Sequence, residues 1–256
     1  MQQYVLTTAG SKRLIGKGMA SHPAILAALE SGTIVIVAGT TNGYVAEEVL
    51  TRIGQAAGFE KKRFFRGITL PPSGSGTGSG GPPKEGQFPG DVVISRGQWQ
   101  KGMTIFDVVD DLREGDVIVK GANALDVARR RAAILIGDPK GGTIGAAIQA
   151  VVGRRVRLIL PVGLEKRVVE DLDTLAAKLN APGAHGPRLW PVPGEVFIEQ
   201  DAITLLSGAN AELIAAGGVG GAEGCIRIAV GGDNEQQDAA ASLIRTVRSE
   251  PAFEKN

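Results

Sequence analysis

Asp126 and Lys140 are the two charged side chains whose neighbours point most directly to chemistry. Lys140-Gly141-Gly142-Thr143 stands just ahead of Ile144, Ala147, Ile148, Val151 and Val152. That i, i+3, i+4, i+7, i+8 spacing is one buried face of a helix. At the start of such a helix, unpaired backbone N–H groups and the helix dipole attract anions. A lysine there can stabilise an oxyanion. Asp126 ends the run Gly121-Ala122-Asn123-Ala124-Leu125-Asp126, where a carboxylate near an anion loop can act as acid or base. The same residue can instead cap the turn after a strand. A second loop of this kind, Gly39-Thr40-Thr41-Asn42-Gly43, offers hydroxyls and backbone amides to one point. It lacks the Gly-Lys-Ser/Thr of a nucleoside-triphosphate loop and the dinucleotide fingerprint.

These residues need elements to hold them. Thr33 to Ala38 is apolar and β-branched on both faces, as in a buried strand, and Val117 to Val119 repeats the pattern. Val156 to Val162 is a third such run. A short strand is expected between the acidic-amide loop and the glycine loop. Helices are expected between them, with Val45, Ala46, Val49, Leu50 and Ile53 inward on one, and Ile105, Val108, Val109 and Leu112 on another. A further helix would bury Val168, Val169, Leu172, Leu175, Ala176 and Leu179. Alternating strands and helices predict an α/β fold, a doubly wound and mainly parallel sheet whose ligands sit beyond the strands' carboxyl ends. Loops 39–43, 120–126, 137–143 and 163–167 would gather there, and the last brings Glu165.

The expected organisation is a core over 1–187 and a small C-terminal α+β unit over 188–256, serving as a lid or a dimerisation unit. Within the core, 71–90 is rich in Gly, Ser and Pro and reads as a lid or an inert insertion. Gly217 to Gly224 forms a glycine-rich turn that either covers the ligand or simply joins two strands. Lys12 and Arg13 read as a solvated surface pair, and His22 as a cap or surface residue. Cys225 reads as a small core residue.

Composition narrows the partners. The net charge is +1, so no chain-wide field favours nucleic acid or an anionic membrane. The 37 glycines among 256 residues are roughly twice the usual share and collect where apolar runs end. One cysteine excludes an internal disulfide, and two isolated histidines argue against a zinc site. No apolar run approaches the ~18 residues of a membrane span, and the first residues lack a signal-peptide pattern. A cytoplasmic protein is expected, with no cofactor, no metal, no nucleic acid and no membrane partner, and self-associated as a homo-oligomer.

The order of these loops resembles the NagB/RpiA/CoA-transferase-like superfamily, most of all the ribose-5-phosphate isomerase A family. Gly39 to Gly43 stands where that family has its G-T-G-S-T phosphate loop. Gly121 to Asp126 resembles its G-A-D-E-V-D motif, and Lys140 to Ile144 its K-G-G-G-G loop. The likeness spans residues 10–165. It implies a small phosphorylated, sugar-phosphate-like ligand at the carboxyl edge of the sheet. Departures bear on activity, because Asn123 and Gln149 stand where the family carries carboxylates. An amide cannot carry the proton that aldose–ketose isomerisation moves, so ribose-5-phosphate isomerase activity is not expected. A divergent isomerase-like enzyme, a non-catalytic metabolite sensor and an acyl- or CoA-transferase-like enzyme all stay open.

Overall fold

The computed structural model describes residues 1–66, 69 and 88–253. The chain opens with β1 (Gln2–Leu6), α1 (Thr8–Ala20) and α2 (Pro23–Ser31). Thr7 caps α1 by accepting from the Gly10 N–H at 3.0 Å. His22 caps α2 the same way, ahead of a proline whose missing N–H would have gone unpaired there. Next come β2 (Thr33–Ile36), α3 (Thr40–Arg52), β3 (Val92–Ser95) and β4 (Gln98–Trp99). A short α4 (Ile105–Val108) precedes β5 (Val117–Val119), β6 (Ala124–Asp126) and β7 (Arg131–Ile136). The rest runs α5 (Gly142–Arg154), β8 (Arg157–Pro161), α6 (Leu172–Leu179), β9 (Arg188–Val192) and β10 (Glu195–Phe197). It closes with α7 (Glu199–Ser207), β11 (Asn210–Ala216), β12 (Ile226–Gly231) and α8 (Asn234–Val247).

The fold is mixed α/β around a six-stranded sheet of order β10-β8-β5-β2-β3-β4. β2, β5, β8 and β10 are parallel, whereas β3 and β4 run antiparallel at one side. From β2 the chain steps toward β3 and β4, then returns to lay β5, β8 and β10 on the other side. The direction therefore changes between β2 and β5. A crevice at the carboxyl ends of parallel strands is expected where such a change occurs. Residues 34–36, 117–119 and 158–160 of the inner strands are buried on both faces, which explains their unbroken apolar sequence.

Two three-stranded antiparallel sheets flank this centre, β1-β12-β11 and β6-β7-β9. β7 thus lies outside the central sheet, and the 137–143 loop does not follow one of its strands. The pairing also runs across position 187. The N-terminal β1 completes the sheet of β11 and β12, while β9 pairs with β7 and β10 with β8. One continuous core joins Leu6, Ile15, Ile34, Ile118, Ile228 and Val247.

Two helical faces differ from the periodicity reading. On α5 the buried residues are Thr143, Ile144, Ala147 and Ala150, and Val152 is 72% exposed. On α6 only Leu172 and Ala176 are buried, because the helix starts at Leu172 and lies on the small β7–β9 sheet. Val169 precedes it and is 99% exposed. No helix among the described residues is long and apolar enough to cross a membrane. Most of loop 71–90, and with it the lid reading, falls outside the described residues.

Candidate functional site

The connections that leave β2, β5 and β8 at their carboxyl ends meet at a cavity of about 690 Å³. Its wall takes Ala38 to Thr41 from the first connection, Lys120 to Asn123 from the second and Lys166 from the third. Thr7, Thr8 and Ala9 add the start of α1. That helix lies hard against α3: a Cβ on Gly16 would come within 2.9 Å of the Tyr44 carbonyl oxygen. Only glycine permits this approach. As a result the N-termini of two 13-residue helices open on the same space. Gly39 caps α3 without a side-chain hydrogen bond, and the buried Thr41 hydroxyl has no partner among the described residues.

Among the described residues, four cations line the cavity: Lys12 on α1, Arg66, Lys120 just past β5 and Lys166 past β8. The Arg66 side chain is 3% exposed. Its Nη2 lies 2.9 Å from Asp91 Oδ1, but out of hydrogen-bonding alignment, so all three guanidinium nitrogens lack an aligned acceptor among the described residues. Buried donors of that kind are costly unless something accepts from them. Burial holds all three lysines below the ordinary range; the Lys166 charge adds to this at Lys12 and Lys120, whereas Glu165 and Glu199 oppose it at Lys166. Lys120 falls to about 8, with burial first, Lys166 and Arg66 lowering it further and Asp91 opposing them. Lys166 Nζ donates to the Ala122 carbonyl at 2.8 Å. No hydrogen-bond acceptor engages the Nζ of Lys12 or Lys120 among the described residues.

The acidic residues nearby are largely engaged. Asp91 is fully buried; it accepts from the Ala38 N–H at 2.9 Å and the Ile105 N–H at 2.8 Å. Glu250 also lines the cavity, but Arg13 Nε and Lys61 Nζ each hold it at 2.9 Å. The same two cations flank the Tyr44 ring. This ties the tail, including Ala252 and Phe253 at the cavity wall, to α1 and α3.

Glu165 and Glu199 form a different kind of pair behind the third connection. Both Glu165 carboxylate oxygens are buried without a hydrogen-bond partner among the described residues. They fold back over Gly163, where an added Cβ would lie 1.8 Å from Oε2. Glu199 is fully buried and accepts from the Leu164 N–H at 3.0 Å. Burial, then the Glu165 charge, pushes its carboxyl up to about 8.

The sequence-predicted residues divide into two groups. Gly39, Thr40, Thr41 and Asn123 reach the cavity, and Gly221 brings the glycine-rich 217–224 turn to its mouth. Asn123 also accepts from the Leu135 N–H at 3.0 Å. Asn42 is part of the scaffold, donating to the carbonyls of Val37 at 2.7 Å and Val119 at 3.0 Å across the β2–β5 crevice. Gly43 packs on Lys61. Lys140, Gly141, Gly142 and Thr143 lie elsewhere: Gly141 joins Asp138, Asn180 and Arg188 at a separate, shallower concavity of about 340 Å³. The displacement follows from β7 belonging to the outer sheet. Asp126 is likewise away from the cavity. Its carboxylate accepts from the Arg129 N–H at 2.9 Å and pairs with Arg129 Nη1 at 3.0 Å. These bonds hold it below the usual carboxylate range. It caps the turn after β6. Asp126→Ala is expected to cost about 1 kcal/mol in urea denaturation, and to leave anion affinity at the cavity unchanged by calorimetry.

Sequence reasoning missed Arg66, Lys120, Lys166 and Asp91, and left Lys12 on the surface. For Lys120 a signal existed, since it is the first residue after an apolar β-branched run. Lys12 stands one helical turn after Thr8, on the face of α1 that meets the cavity. Arg66 carried no signal, because nothing local tells a buried arginine from a solvated one.

Fold and site together define a mixed α/β protein with a cationic cavity at the carboxyl edge of its central sheet. Compared with family models, curated proteins and solved structures, the chain matches none.

Proposed function

We propose that the protein binds a small phosphorylated or otherwise anionic metabolite in the cavity between Lys12, Arg66, Lys120 and Lys166. The observation that carries this reading is the Arg66 guanidinium, enclosed at the cavity wall with donors that meet no aligned acceptor. An anion's oxygens would satisfy those donors, and charge-assisted bonds of this type are the strong ones. Two helix N-termini aimed at the same space add to the attraction. A sugar phosphate, as the resemblance to NagB/RpiA/CoA-transferase-like proteins implies, has the right size and charge for such a cavity. Aldose–ketose isomerisation stays outside the proposal: Asn123 is an amide, and Gln149 faces solvent on α5. A cytoplasmic homo-oligomer goes with this reading; fractionation and sedimentation check those two parts.

Calorimetric titration with inorganic phosphate and ribose 5-phosphate, against neutral ribose, tests the binding. Lys12→Ala and Lys166→Ala are each expected to weaken phosphate-ester binding by about 1–3 kcal/mol, roughly 5- to 150-fold. Lys140→Ala should leave it unchanged. Equal affinity in the parent and both cavity variants, or a loss confined to Lys140→Ala, overturns the assignment.

A further inference from the structure

We infer that Lys120 is a nucleophilic amine, and that the anion the cavity takes carries an aldehyde, ketone or 2-oxo group with which this amine condenses. The inference rests on the anion-binding reading above and adds a reaction to it.

The four cations are not equivalent. Lys166 spends a hydrogen bond on the Ala122 carbonyl. Lys12 has Glu165 among the charges that act on it, and Arg66 is always charged and cannot attack carbon. Lys120 occupies the middle of the wall, at the first position beyond the central strand β5. Its backbone is pinned by a hydrogen bond from its N–H to the Ile159 carbonyl at 3.0 Å. No carboxylate among the described residues lies within ion-pair distance of its ammonium group. The charged groups acting on it are Asp91 at the start of β3, Arg66, and Lys166 past β8. Asp91 is already occupied by Arg66 and two backbone N–H groups. A lysine enclosed beside other cations is one that loses its proton near neutral pH and becomes nucleophilic. Its pKa near 8 agrees with that placement. The neighbouring cations then hold the substrate's anionic end and set its carbonyl over the amine.

The step balances without a further reactant. The neutral Lys120 Nζ adds to the carbonyl carbon, and the C=O electron pair moves to oxygen, which takes a proton. The carbinolamine then loses water to a protonated imine. Overall, amine, carbonyl compound and one proton give iminium and one water. The iminium draws electrons from the adjacent carbon, which is the activation that retro-aldol, decarboxylation and dehydration chemistry on such substrates requires.

Pyridoxal 5′-phosphate is a suitable probe, because it joins an aldehyde to a phosphate. The parent protein is incubated with it near neutral pH and reduced with borohydride, which delivers hydride to the imine carbon and fixes a secondary amine. Peptide mapping then locates the adduct. Near neutral pH the uncharged fraction of Lys120 exceeds that of an ordinary lysine by roughly two orders of magnitude. The expected result is one dominant adduct on Lys120, suppressed by excess inorganic phosphate, with labelling that rises through about pH 8. Lys120→Arg should still bind the probe reversibly and yield no adduct at the cavity. Phosphate-sensitive binding of the probe with Lys120 unmodified, or with adducts scattered over other lysines, overturns the inference and leaves the anion site standing. If neither phosphate nor the probe binds, the anion site falls and the inference with it.

Discussion

Asp91→Ala is expected to lower the unfolding free energy by about 3–5 kcal/mol, the scale for removing one partner of a buried charged pair. Asp91 stands immediately before β3, and its carboxylate is the point where three segments are tied. It holds the Ala38 N–H at the end of β2 and the Ile105 N–H at the start of α4. It also neutralises Arg66. Alanine leaves two buried N–H groups without an acceptor and a buried guanidinium without its counter-charge, and each is costly. Burial raises the carboxyl above its usual range, with Arg66 and the two N–H groups pulling the other way. Asp91→Asn keeps the shape and one acceptor, so its loss should fall between parent and alanine. Urea denaturation of the three proteins measures this. A loss below ~1 kcal/mol for Asp91→Ala would mean that the site relaxes around the missing carboxylate, as surface positions do. The same tie positions Arg66, so anion affinity should fall along with stability.

The second large effect is a dependence of stability on pH set by Glu199. In the folded protein its carboxyl is raised from 4.5 to about 8. Between those two values the folded state holds a proton that the unfolded chain has released. Stability must therefore fall as pH rises through this window, by an amount on the order of 3–5 kcal/mol in total. Below the window Glu199 contributes no slope, and above it the full cost is present. Lys120 acts with the opposite sign at higher pH. Its folded value of about 8 lies below the ordinary 10.5, so between them the unfolded chain binds the extra proton and stability rises with pH. Glu199→Gln is expected to flatten the lower window and leave the upper one. Because the Glu165 charge is the second cause of the Glu199 shift, Gly163→Ala, which displaces that carboxylate, should move the lower window toward acid. Thermal denaturation across pH reads all three curves. A parent whose stability is level or rising between pH 5 and 8, with Glu199→Gln parallel to it, would rule out the buried, protonated Glu199.

The sequence by itself determined the parallel part of the central sheet and the loop that opens α3. Val117 to Val119, Thr33 to Ile36 and Arg157 to Pro161 are local in their information: β-branched residues apolar on both faces can satisfy themselves only inside a sheet. A Gly/Thr turn before a helix is equally local, so Gly39 to Thr41, which line the cavity, could be singled out from their neighbours alone. Only the tertiary structure decided which other loops share that cavity. Lys140 and Asp126 carry motif-like surroundings, yet β7 pairs in the outer β6–β7–β9 sheet, and that pairing carries the glycine loop away. Strand pairing depends on residues far apart in the chain, here 131–136 against 188–192, and no window of sequence contains both. The cations follow the same rule. Lys12, Arg66, Lys120 and Lys166 come from four separate segments, and each alone looks like an ordinary solvated charge. They stand as a group only because the fold brings three half-buried lysines and a buried arginine to one cavity, where burial disfavours their charged forms and the Arg66 donors lack an aligned acceptor among the described residues.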